Sequence, residues 1–368
     1  MEGVLLKYSE EEVIRLFLKN GFQISKKALP LILSQPKEII FKVEKLKPRP
    51  FIITEKHVRK ILEERKKPKS KIELFKEYVP LKKPIKIEDY VKNLHSQYTK
   101  IKPILSKRMD KEKLISINKI SQQKTFSIIG IVREKGENNI LLEDPSGEVH
   151  VIFDGLMKRA LEEICLDDII GVRCKKIKDK IFAKSIIYPD ILSSRKITKT
   201  EDEIEIMVVS KPLDLDTQKY KKLLDTISGV ENLSSIFLFN DNVNEKLLED
   251  FSKFNSINIS QNSNPTLFQI EDLKILTLPR HFFKDLDKTS ISIMISIMKR
   301  RSLTNTFSPE IYSGEDGFVL DKIPDIVVSN FDENGYKNYK GTTIISSSDP
   351  NKLFLVNLKT REVKEITF

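Results

Sequence analysis

The sequence predicts an α+β protein of several domains, in which a helical module precedes a small β-barrel and an α/β domain. Three observations predict this architecture. Apolar residues recur at helical spacing near the N-terminus, turn residues separate strand-length apolar runs between Thr125 and Asp190, and strand and helix patterns alternate from Ile204 onward. With 368 residues, the chain is long enough for two or three domains with separate cores.

The composition is that of a globular protein with a heavily charged surface. Hydrophobic residues make up 39% of the chain and charged residues 32%, and no run approaches the ~20 apolar residues of a membrane span. The N-terminus lacks a basic stretch followed by an apolar core, so we expect no secretory signal. Cys165 and Cys174 are too few for a disulfide framework or a four-thiolate zinc site. We therefore expect a cytoplasmic protein without a membrane partner.

The net charge of the chain is +11, which favours a polyanion or an acidic protein as partner. A lysine-rich genome explains the charge equally well, because lysine and isoleucine are both abundant and tryptophan is absent. The charge is consistent with a nucleic-acid partner and does not establish one.

Residues 1–64 are expected to form a small helical module. Ser9 is a good N-cap for a first helix, since three glutamates follow it, and Gly21 ends that helix. Second and third helices are expected at residues 25–33 and 54–62. A module of this size is more typical of a docking domain than of a domain with a ligand pocket.

Residues 65–111 are expected to form a basic linker and a helix. Two Lys-Lys-Pro clusters within residues 65–86 favour an extended linker, with a nucleic-acid contact as the alternative. Apolar residues at helical spacing in residues 87–109 predict a helix, which Pro103 should kink or end.

Residues 112–195 show the element order of an OB fold, a small Greek-key barrel that often binds single-stranded nucleic acid. Three strands, a helix and two further strands are predicted, at Phe126–Val132, Ile140–Leu142, Val149–Phe153, Leu156–Cys165, Ile169–Lys175 and Lys180–Ile187.

Single-strand binding by the barrel would combine basic side chains with exposed aromatic rings. The candidate DNA-binding residues are Arg133, Lys175, Lys176 and Lys178. The barrel has few aromatic residues, and most fall in apolar strand runs and are expected in its core: Phe126, Phe153, Phe182 and Tyr188. These observations favour a barrel that faces protein rather than DNA.

Residues 204–368 are expected to form an α/β domain, after a polar boundary segment at residues 195–205. Strands and helices alternate here, with strands predicted at 204–210, 234–239, 257–259, 273–278, 325–329, 342–346 and 353–356, and helices at 220–227 and 245–254.

Several segments along the chain match one protein family in the same order. They are NGFQISKKAL near the N-terminus, IIGIVREKGENNILLEDPSGEVHV in the barrel, and then MKRRSLTNTFSPEI, VLDKIPDIVVSN and GYKNYKGTTIISS. In these segments the chain resembles the small subunit of the archaeal D-family DNA polymerase, whose two-domain plan also occurs in the B-subunits of eukaryotic replicative polymerases. The resemblance implies an OB barrel followed by a calcineurin-like phosphoesterase domain of four-layer sandwich type. Active members of the family are 3′–5′ exonucleases that use two divalent metal ions.

The metal-binding motifs of that family are largely missing here. Lys211-Pro212-Leu213 stands at the D-x-H position, and Asn240-Asp241 at the G-D position. Gln261-Asn262-Ser263-Asn264 replaces G-N-H-D and loses the general-acid histidine. Leu278-Pro279 stands for H-G, and Asn330-Phe331-Asp332-Glu333 stands for the final G-H-x-H.

Asp241 and Asn262 are thus only vestigial metal positions, and we predict no catalytic residue, no bound metal and no cofactor. His281 is the only histidine of the domain, and one imidazole cannot supply a histidine-rich dinuclear site. The sequence therefore predicts a non-catalytic accessory subunit of a D-family polymerase. Its expected partners are the large catalytic subunit, DNA and, through the N-terminal module, further replication factors. A metal-dependent 3′–5′ exonuclease and a stand-alone OB-type single-stranded DNA-binding protein are the alternatives.

Overall fold

A computed structural model describes the chain in two compact units. Described are residues 8–33, 36–44, 49–66, 72–80, 86–239, 249–251, 254, 258–260, 264–283, 289–303 and 318–368. The first unit comprises Met1–Lys69 with Ser252–Asn258, and the second comprises Ser70–Phe251 with Ile259–Phe368. Among the described residues, no helix combines the length and the apolar character needed to cross a membrane.

The first unit is mainly helical. Its elements are α1 (Glu10–Lys19), β1 (Gln23–Ile24), α2 (Leu29–Ile32), α3 (Pro36–Glu44), β2 (Ile52–Ile53) and α4 (Glu55–Lys66), with β1 and β2 paired in parallel. Ser9 caps α1 as predicted: its hydroxyl accepts from the Glu12 amide at 3.2 Å, and the Glu12 carboxylate accepts from the Ser9 amide at 2.8 Å.

The second predicted helix of this unit is shorter than expected. Residues 25–28 form turns, and α2 itself spans four residues with Pro30 in its first turn. Proline has no backbone N–H and fits best in the first turn of a helix, so a helix running from Ser25 through Pro30 would lose an internal hydrogen bond.

The second unit begins with two elements in the stretch predicted as linker and helix. Strand β3 (Ile72–Glu77) lies inside the expected linker, so the prediction of a linker over all of residues 65–86 is wrong. Helix α5 (Ile87–Ser106) follows and does not end at Pro103. Buried Leu94, Tyr98 and Ile101 hold the helix in place through its packing, which offsets the one backbone hydrogen bond that proline removes.

A closed five-stranded barrel follows α5, in the strand order β4-β5-β6-β8-β7. Its elements are β4 (Thr125–Lys135), β5 (Asn139–Asp144), β6 (Gly147–Ile152), α6 (Met157–Glu162), β7 (Ile169–Ile177) and β8 (Lys180–Ile187). All five predicted strands and the predicted helix are present. A parallel contact between Ile152 and Phe182 joins β6 to β8 and closes the barrel around an apolar core.

Two further sheets complete the second unit. The elements are β9 (Glu205–Ser210), α7 (Thr217–Gly229), β10 (Leu233–Phe239), β11 (Asn258–Ser260), β12 (Thr266–Ile270), β13 (Leu273–Leu278), α8 (Ile291–Arg300), β14 (Ile326–Ser329), β15 (Gly335–Tyr339), β16 (Thr342–Ser346), β17 (Lys352–Asn357) and β18 (Val363–Thr367). The five-stranded sheet has the order β11-β10-β9-β17-β18, and the six-stranded sheet has the order β15-β16-β14-β13-β12-β3.

The two sheets pack face to face around one apolar core. Phe237 and Phe354 of the five-stranded sheet share a cluster with Phe268, Ile275 and Val328 of the six-stranded sheet. On its other face, the six-stranded sheet packs against α8, whose buried Met294 and Ile297 lie in a second cluster. The result is a layered α/β sandwich, as the alternating pattern predicts. The helix expected at residues 245–254 lies mostly outside the described residues.

Candidate functional site

The strand ends of the sandwich are where the resemblance predicts a two-metal centre. Parallel strands β13, β14 and β16 end side by side, with Ser329 in register with both Leu278 and Ser346. In the other sheet, β9 ends at Ser210 beside Phe239 of β10. Residues 347–351 connect the end of β16 to the start of β17, which pairs with the end of β9. This short connection places the ends of β9 and β16 on one edge of the sandwich, which we call the strand-end edge.

Lys211 follows β9 on this edge, where the family has its D-x-H motif. Its backbone is left-handed, with φ of 46°, and its amide donates to the Phe239 carbonyl at 2.8 Å. A 3-10 turn, Pro212–Asp214, follows directly. The segment therefore builds a turn that ties β9 to β10 and brings no carboxylate to the edge.

Neutral hydroxyls occupy the ends of β14 and β16. The fully buried Ser329 hydroxyl donates to the Ser346 hydroxyl at 3.2 Å, which in turn donates to the Phe331 carbonyl at 3.1 Å. The hydroxyls of Ser210 and Ser347 are also buried, and neither has a hydrogen-bond partner among the residues that the structure describes. Neutral hydroxyls are weak ligands for divalent metals, which prefer carboxylates and imidazoles at such sites.

The residues at the final metal motif act as caps for backbone amides. The Asn330 side chain accepts from the Arg280 amide at 2.6 Å. Glu333 accepts from the amide of Ile291, the first residue of α8, at 2.8 Å. Favourable interaction with the positive end of the helix dipole adds to this hydrogen bond.

Asp332 makes a similar cap with Thr289. Its carboxylate accepts from the Thr289 amide at 2.7 Å and from the Thr289 hydroxyl at 2.9 Å, and Arg280 lies 3.4 Å away. Partial burial alone would raise the pKa of Asp332, but the hydrogen bonds from Thr289 and the charge of Arg280 outweigh it and hold the pKa below its ordinary value. The carboxylate is ionised and already bonded within the protein.

No metal centre is assembled by the part of the chain that the structure describes. Within those residues, no three His, Cys, Asp or Glu side chains are grouped so that they could hold a metal ion. Asp241 and Asn262, the vestigial positions, lie outside the described residues. His281 is exposed, in a 3-10 turn after β13. The described residues of the strand-end edge therefore do not fit the two metal ions that the family uses.

Arg133, a candidate DNA-binding residue, is held by carboxylates. Its Nε lies 2.9 Å from Glu143 and its Nη1 lies 3.1 Å from Asp167. The Tyr90 hydroxyl of α5 donates to the same Asp167 at 2.5 Å. Two carboxylates balance the charge of this arginine, and the arrangement ties α5 to the barrel.

The other three candidates lie together at the β7–β8 turn. Lys175 and Lys178 are exposed, and Lys176 is half-buried. The pairing of Thr125 with Lys175 places this turn at the start of β4, whereas Arg133 lies near the end of that strand. The structure therefore brings the three lysines together and separates them from Arg133.

The aromatic residues of the barrel offer little surface for base stacking. Phe126 and Phe153 are buried in the core, as the sequence predicts. Tyr188 is half-buried, and its ring faces the Lys299 ammonium at 4.1 Å. Phe182 is half-buried beside Lys175. A single partly exposed phenylalanine next to lysines is a weak platform for single-stranded DNA.

A buried ion pair lies where the barrel meets the sandwich. Arg300, at the end of α8, pairs with Asp168 of the barrel at 2.7 Å, and their side chains are 6% and 0% exposed. Burial would lower the pKa of Arg300, but the Asp168 carboxylate more than offsets this and raises it. Lys299 pairs with the exposed Glu163 at 2.5 Å. We call these contacts of Lys299 and Arg300, together with those that Asp190 makes to the sandwich and to Arg108, the seam.

Asp190, just after the barrel, contacts two other segments of the chain. Its carboxylate accepts from the Tyr339 hydroxyl at 2.9 Å and forms an ion pair with Lys340. Its carbonyl accepts from Arg108, which follows α5. Sequence reasoning missed this seam, because each contact joins residues that are at least 80 positions apart. The only available signal was the run of basic residues at the end of α8.

Comparisons with known proteins assign no family to the chain. No protein-family model matches it, and neither does any curated protein. Among solved structures, the chain is similar to Vps29 from Chaetomium thermophilum, at 11% identity and a TM-score of 0.26, over 45% of this chain and 96% of that one. It is also similar to wild-type Vps29 complexed with Zn²⁺ from Entamoeba histolytica, at 10% identity and a TM-score of 0.26, over 45% of this chain and 98% of that one. These superpositions are too distant to assign a fold or a function.

Proposed function

We propose that this chain is a non-catalytic accessory subunit of an archaeal D-family DNA polymerase. In this role it acts in the cytoplasm and holds the large catalytic subunit through the barrel and the sandwich. The observation that carries the proposal is the state of the strand-end edge, where Asn330, Asp332 and Glu333 cap backbone amides of the protein itself. Because these side chains already accept hydrogen bonds from the backbone, we interpret them as groups that stabilise the fold rather than as metal ligands.

The architecture of the second unit supports the same proposal. A five-stranded barrel in the order first, second, third, fifth and fourth strand, with a helix between the third and fourth strands, is the arrangement expected of an OB fold. A two-sheet sandwich whose parallel strands end on one edge follows it. We interpret the sandwich as a calcineurin-like phosphoesterase domain that has lost its metal ligands, in line with the sequence resemblance.

The seam supports a scaffolding role. Removing either partner of a buried ion pair such as Arg300 and Asp168 leaves an uncompensated charge, so the pair opposes separation of the barrel from the sandwich. Two domains fixed in this way present one continuous surface to a partner chain. A stable interface with a partner chain buries on the order of 1,600 Å² in total. DNA contacts would then come mainly from the large subunit, with the lysines of the β7–β8 turn as a supplement.

A pull-down from the native organism with this chain as bait, read by mass spectrometry, tests the proposal. We expect a very large polymerase chain among the specific partners, at near-equal molar amounts. Recovery of replication-unrelated partners alone would overturn the proposal. Single-stranded DNA degradation by the purified chain with Mn²⁺ would instead support the exonuclease alternative. Tight and strongly salt-dependent oligonucleotide binding by the chain alone would support a stand-alone DNA-binding protein.

A further inference from the structure

Arg301, the residue directly after α8, is buried and differs from its neighbour Arg300 in its contacts. Arg301 is 9% exposed, and its Nε is buried without a hydrogen-bond partner among the residues that the structure describes. Within the same residues its side chain forms no ion pair, whereas Arg300 pairs with Asp168. Proteins rarely bury a charge unless it is paired or bound to a ligand. A guanidinium group in this state is suited to bind an anion.

The backbone at Arg301 holds the side chain in place. Its φ is 50°, in the left-handed region that favours glycine over other residues. The Arg301 carbonyl accepts from the Leu320 amide at 2.9 Å, and the next residue, Ser302, forms a β-bridge with Val319. Arginine thus occupies a position where glycine would fit with less strain. Strained backbone of this kind is common at binding sites.

Two further arginines, Arg108 and Arg195, lie close enough to Arg301 for their charges to act on it. Burial and these two like charges lower the pKa of Arg301 to about 10, although the carboxylates of Asp190 and Asp321 act in the opposite direction. Arg301 therefore remains protonated at neutral pH, and the surrounding groups compensate its charge poorly. An anion beside the guanidinium would offset both the burial and the repulsion.

The carboxylates of this region already have other cations as partners. Three of them form ion pairs, namely Asp190 with Lys340, Asp321 with Lys76 at 3.7 Å, and Asp325 with Arg195 at 2.5 Å. Two arginines remain, Arg108 and Arg301, and neither forms an ion pair with a carboxylate in the described part of the chain. The region therefore has an excess of positive charge at these two side chains.

Arg108 is half-buried and directs its terminal nitrogens to backbone carbonyls. Its Nη1 donates to the Tyr188 carbonyl at 3.4 Å, and its Nη2 donates to the Asp190 carbonyl. Neutral carbonyls orient the guanidinium group without neutralising its charge. Guanidinium groups are planar and have N–H donors in fixed directions, which match the oxygens of phosphate.

We propose that Arg301 and Arg108 form a binding site for a single phosphate group, where the barrel meets the sandwich. Arg108 follows α5, which packs on the barrel, and Arg301 follows α8 of the sandwich, so a bound phosphate would link the two. Because Arg301 is only 9% exposed, a small anion fits this site better than a nucleic-acid strand or a protein segment.

The site is separate from the strand-end edge. Arg195, which contributes positive charge to it, pairs with Asp325 directly before β14, whereas the strand-end edge lies where β14 ends. The inference does not depend on the polymerase assignment, since it rests on the charges at this junction alone.

Thermal unfolding of the full-length chain, in chloride and in phosphate buffers of equal ionic strength, tests the proposal. We expect phosphate to raise the Tm of the wild type, because it binds the native state. Arg301→Met removes the charge and keeps an unbranched side chain. In chloride its Tm should equal or exceed that of the wild type, because no unpaired charge is then buried, and in phosphate it should gain less.

Arg159→Met is the matched control, because it removes an exposed arginine from α6, outside the proposed site. Phosphate also stabilises proteins without binding to a site, since it is excluded from their surface. Arg159→Met should retain this general effect and the specific one, and should therefore gain as much from phosphate as the wild type. A much lower Tm of Arg301→Met in chloride would show that the arginine is satisfied within the chain and would overturn the proposal.

Isothermal titration calorimetry with inorganic phosphate measures the affinity. We expect one site per chain, and binding weaker by about tenfold to hundredfold in Arg301→Met and in Arg108→Gln, the loss associated with one charged hydrogen-bonding group. A nucleoside 5′-monophosphate that binds more tightly than phosphate would identify the source as a small phosphorylated molecule, and equal or weaker binding would identify the free ion.

Three results of the titrations would contradict the phosphate site. The first is equal phosphate affinity in the wild type, Arg301→Met and Arg159→Met. The second is binding of acetate as tight as that of phosphate, since the site would then not select the tetrahedral anion. The third is binding of a thymidine oligonucleotide that Arg301→Met abolishes while inorganic phosphate does not bind, because the arginines would then contact nucleic acid.

Discussion

The seam and the strand-end edge use polar residues in opposite ways. The seam keeps fully charged groups in the interior, as in the pair of Arg300 with Asp168, and each charge has an opposite charge beside it. The strand-end edge has neutral hydroxyls such as Ser329 and Ser346 in its interior, and its carboxylates lie at the surface as caps. Buried charge is costly and persists only where it is paired. The comparison indicates that, among the described residues, paired buried charge joins the barrel to the sandwich, whereas neutral hydroxyls fill the interior of the strand-end edge.

Removing the arginine of the seam tests the first half of this comparison and should have the largest effect. Arg300→Ala leaves Asp168 buried without its partner, so we expect the free energy of unfolding to fall by about 3–5 kcal/mol. Lys299→Ala, one position earlier, removes a partner of the exposed Glu163 and should cost about 1 kcal/mol or less. Chemical unfolding followed by fluorescence or circular dichroism measures both values.

Replacing both Arg300 and Asp168 with apolar residues distinguishes the effect of their charges on stability from the effect of their packing. The double variant Arg300→Met with Asp168→Leu should recover most of the lost stability, because neither charge is then left alone in the interior. If Arg300→Ala cost no more than Lys299→Ala, the seam would not depend on buried charge, and the contrast with the strand-end edge would disappear.

Asn330 tests the other half of the comparison. Asn330→Ala leaves the Arg280 amide without its acceptor, and we expect a loss of about 1–3 kcal/mol. Asn338→Ala removes a similar cap from the exposed amide of Gly341, where water can substitute, and should cost less. Thermal unfolding with and without Mn²⁺ provides a second readout, since a ligand bound to the native state raises its stability. Stabilisation of the wild type by Mn²⁺, lost in Asn330→Ala, would show that Asn330 is a metal ligand.

The barrel could be predicted from sequence because its signals are local. Turn residues such as Asp144-Pro145-Ser146-Gly147 lie between strand-length apolar runs, and the hairpins they connect pair neighbours in the chain. Strand β3 could not be predicted in the same way, since its partner β12 lies almost 200 residues later. Ile72–Glu77 lies between two basic clusters, and the composition of this region is typical of a linker. The segment forms a strand because it pairs with β12.

The candidate site also has some features that the sequence shows and others that only the structure shows. The sequence shows which residue types stand at the strand ends, so the departures from the family motifs, such as Lys211, are visible in it. It does not show that Asn330 and Asp332 cap distant amides, or that Arg133 lies between two carboxylates. Those roles depend on which segments meet in space. Contacts between residues far apart in the chain leave no periodic pattern that a single sequence could reveal.

Replacing Asp332 should have the smallest effect on the free energy of unfolding. It tests whether the charge of this carboxylate contributes to its role as a cap at the strand-end edge. Its pKa is held below the ordinary 3.8, so its contribution to stability is complete above that value and is lost as the pH falls through the lower folded-state pKa. The Asp332→Asn variant can still accept hydrogen bonds from Thr289, but its amide side chain does not bind a proton in this pH range. We therefore expect the stability difference between wild type and Asp332→Asn to shrink between pH 7 and about pH 3. Thr289→Val removes one of the two donors and should reduce this pH dependence without abolishing it. A difference that stayed constant over this range would show that the carboxylate gains nothing from its charge, and the edge would then be held by neutral hydrogen bonds alone.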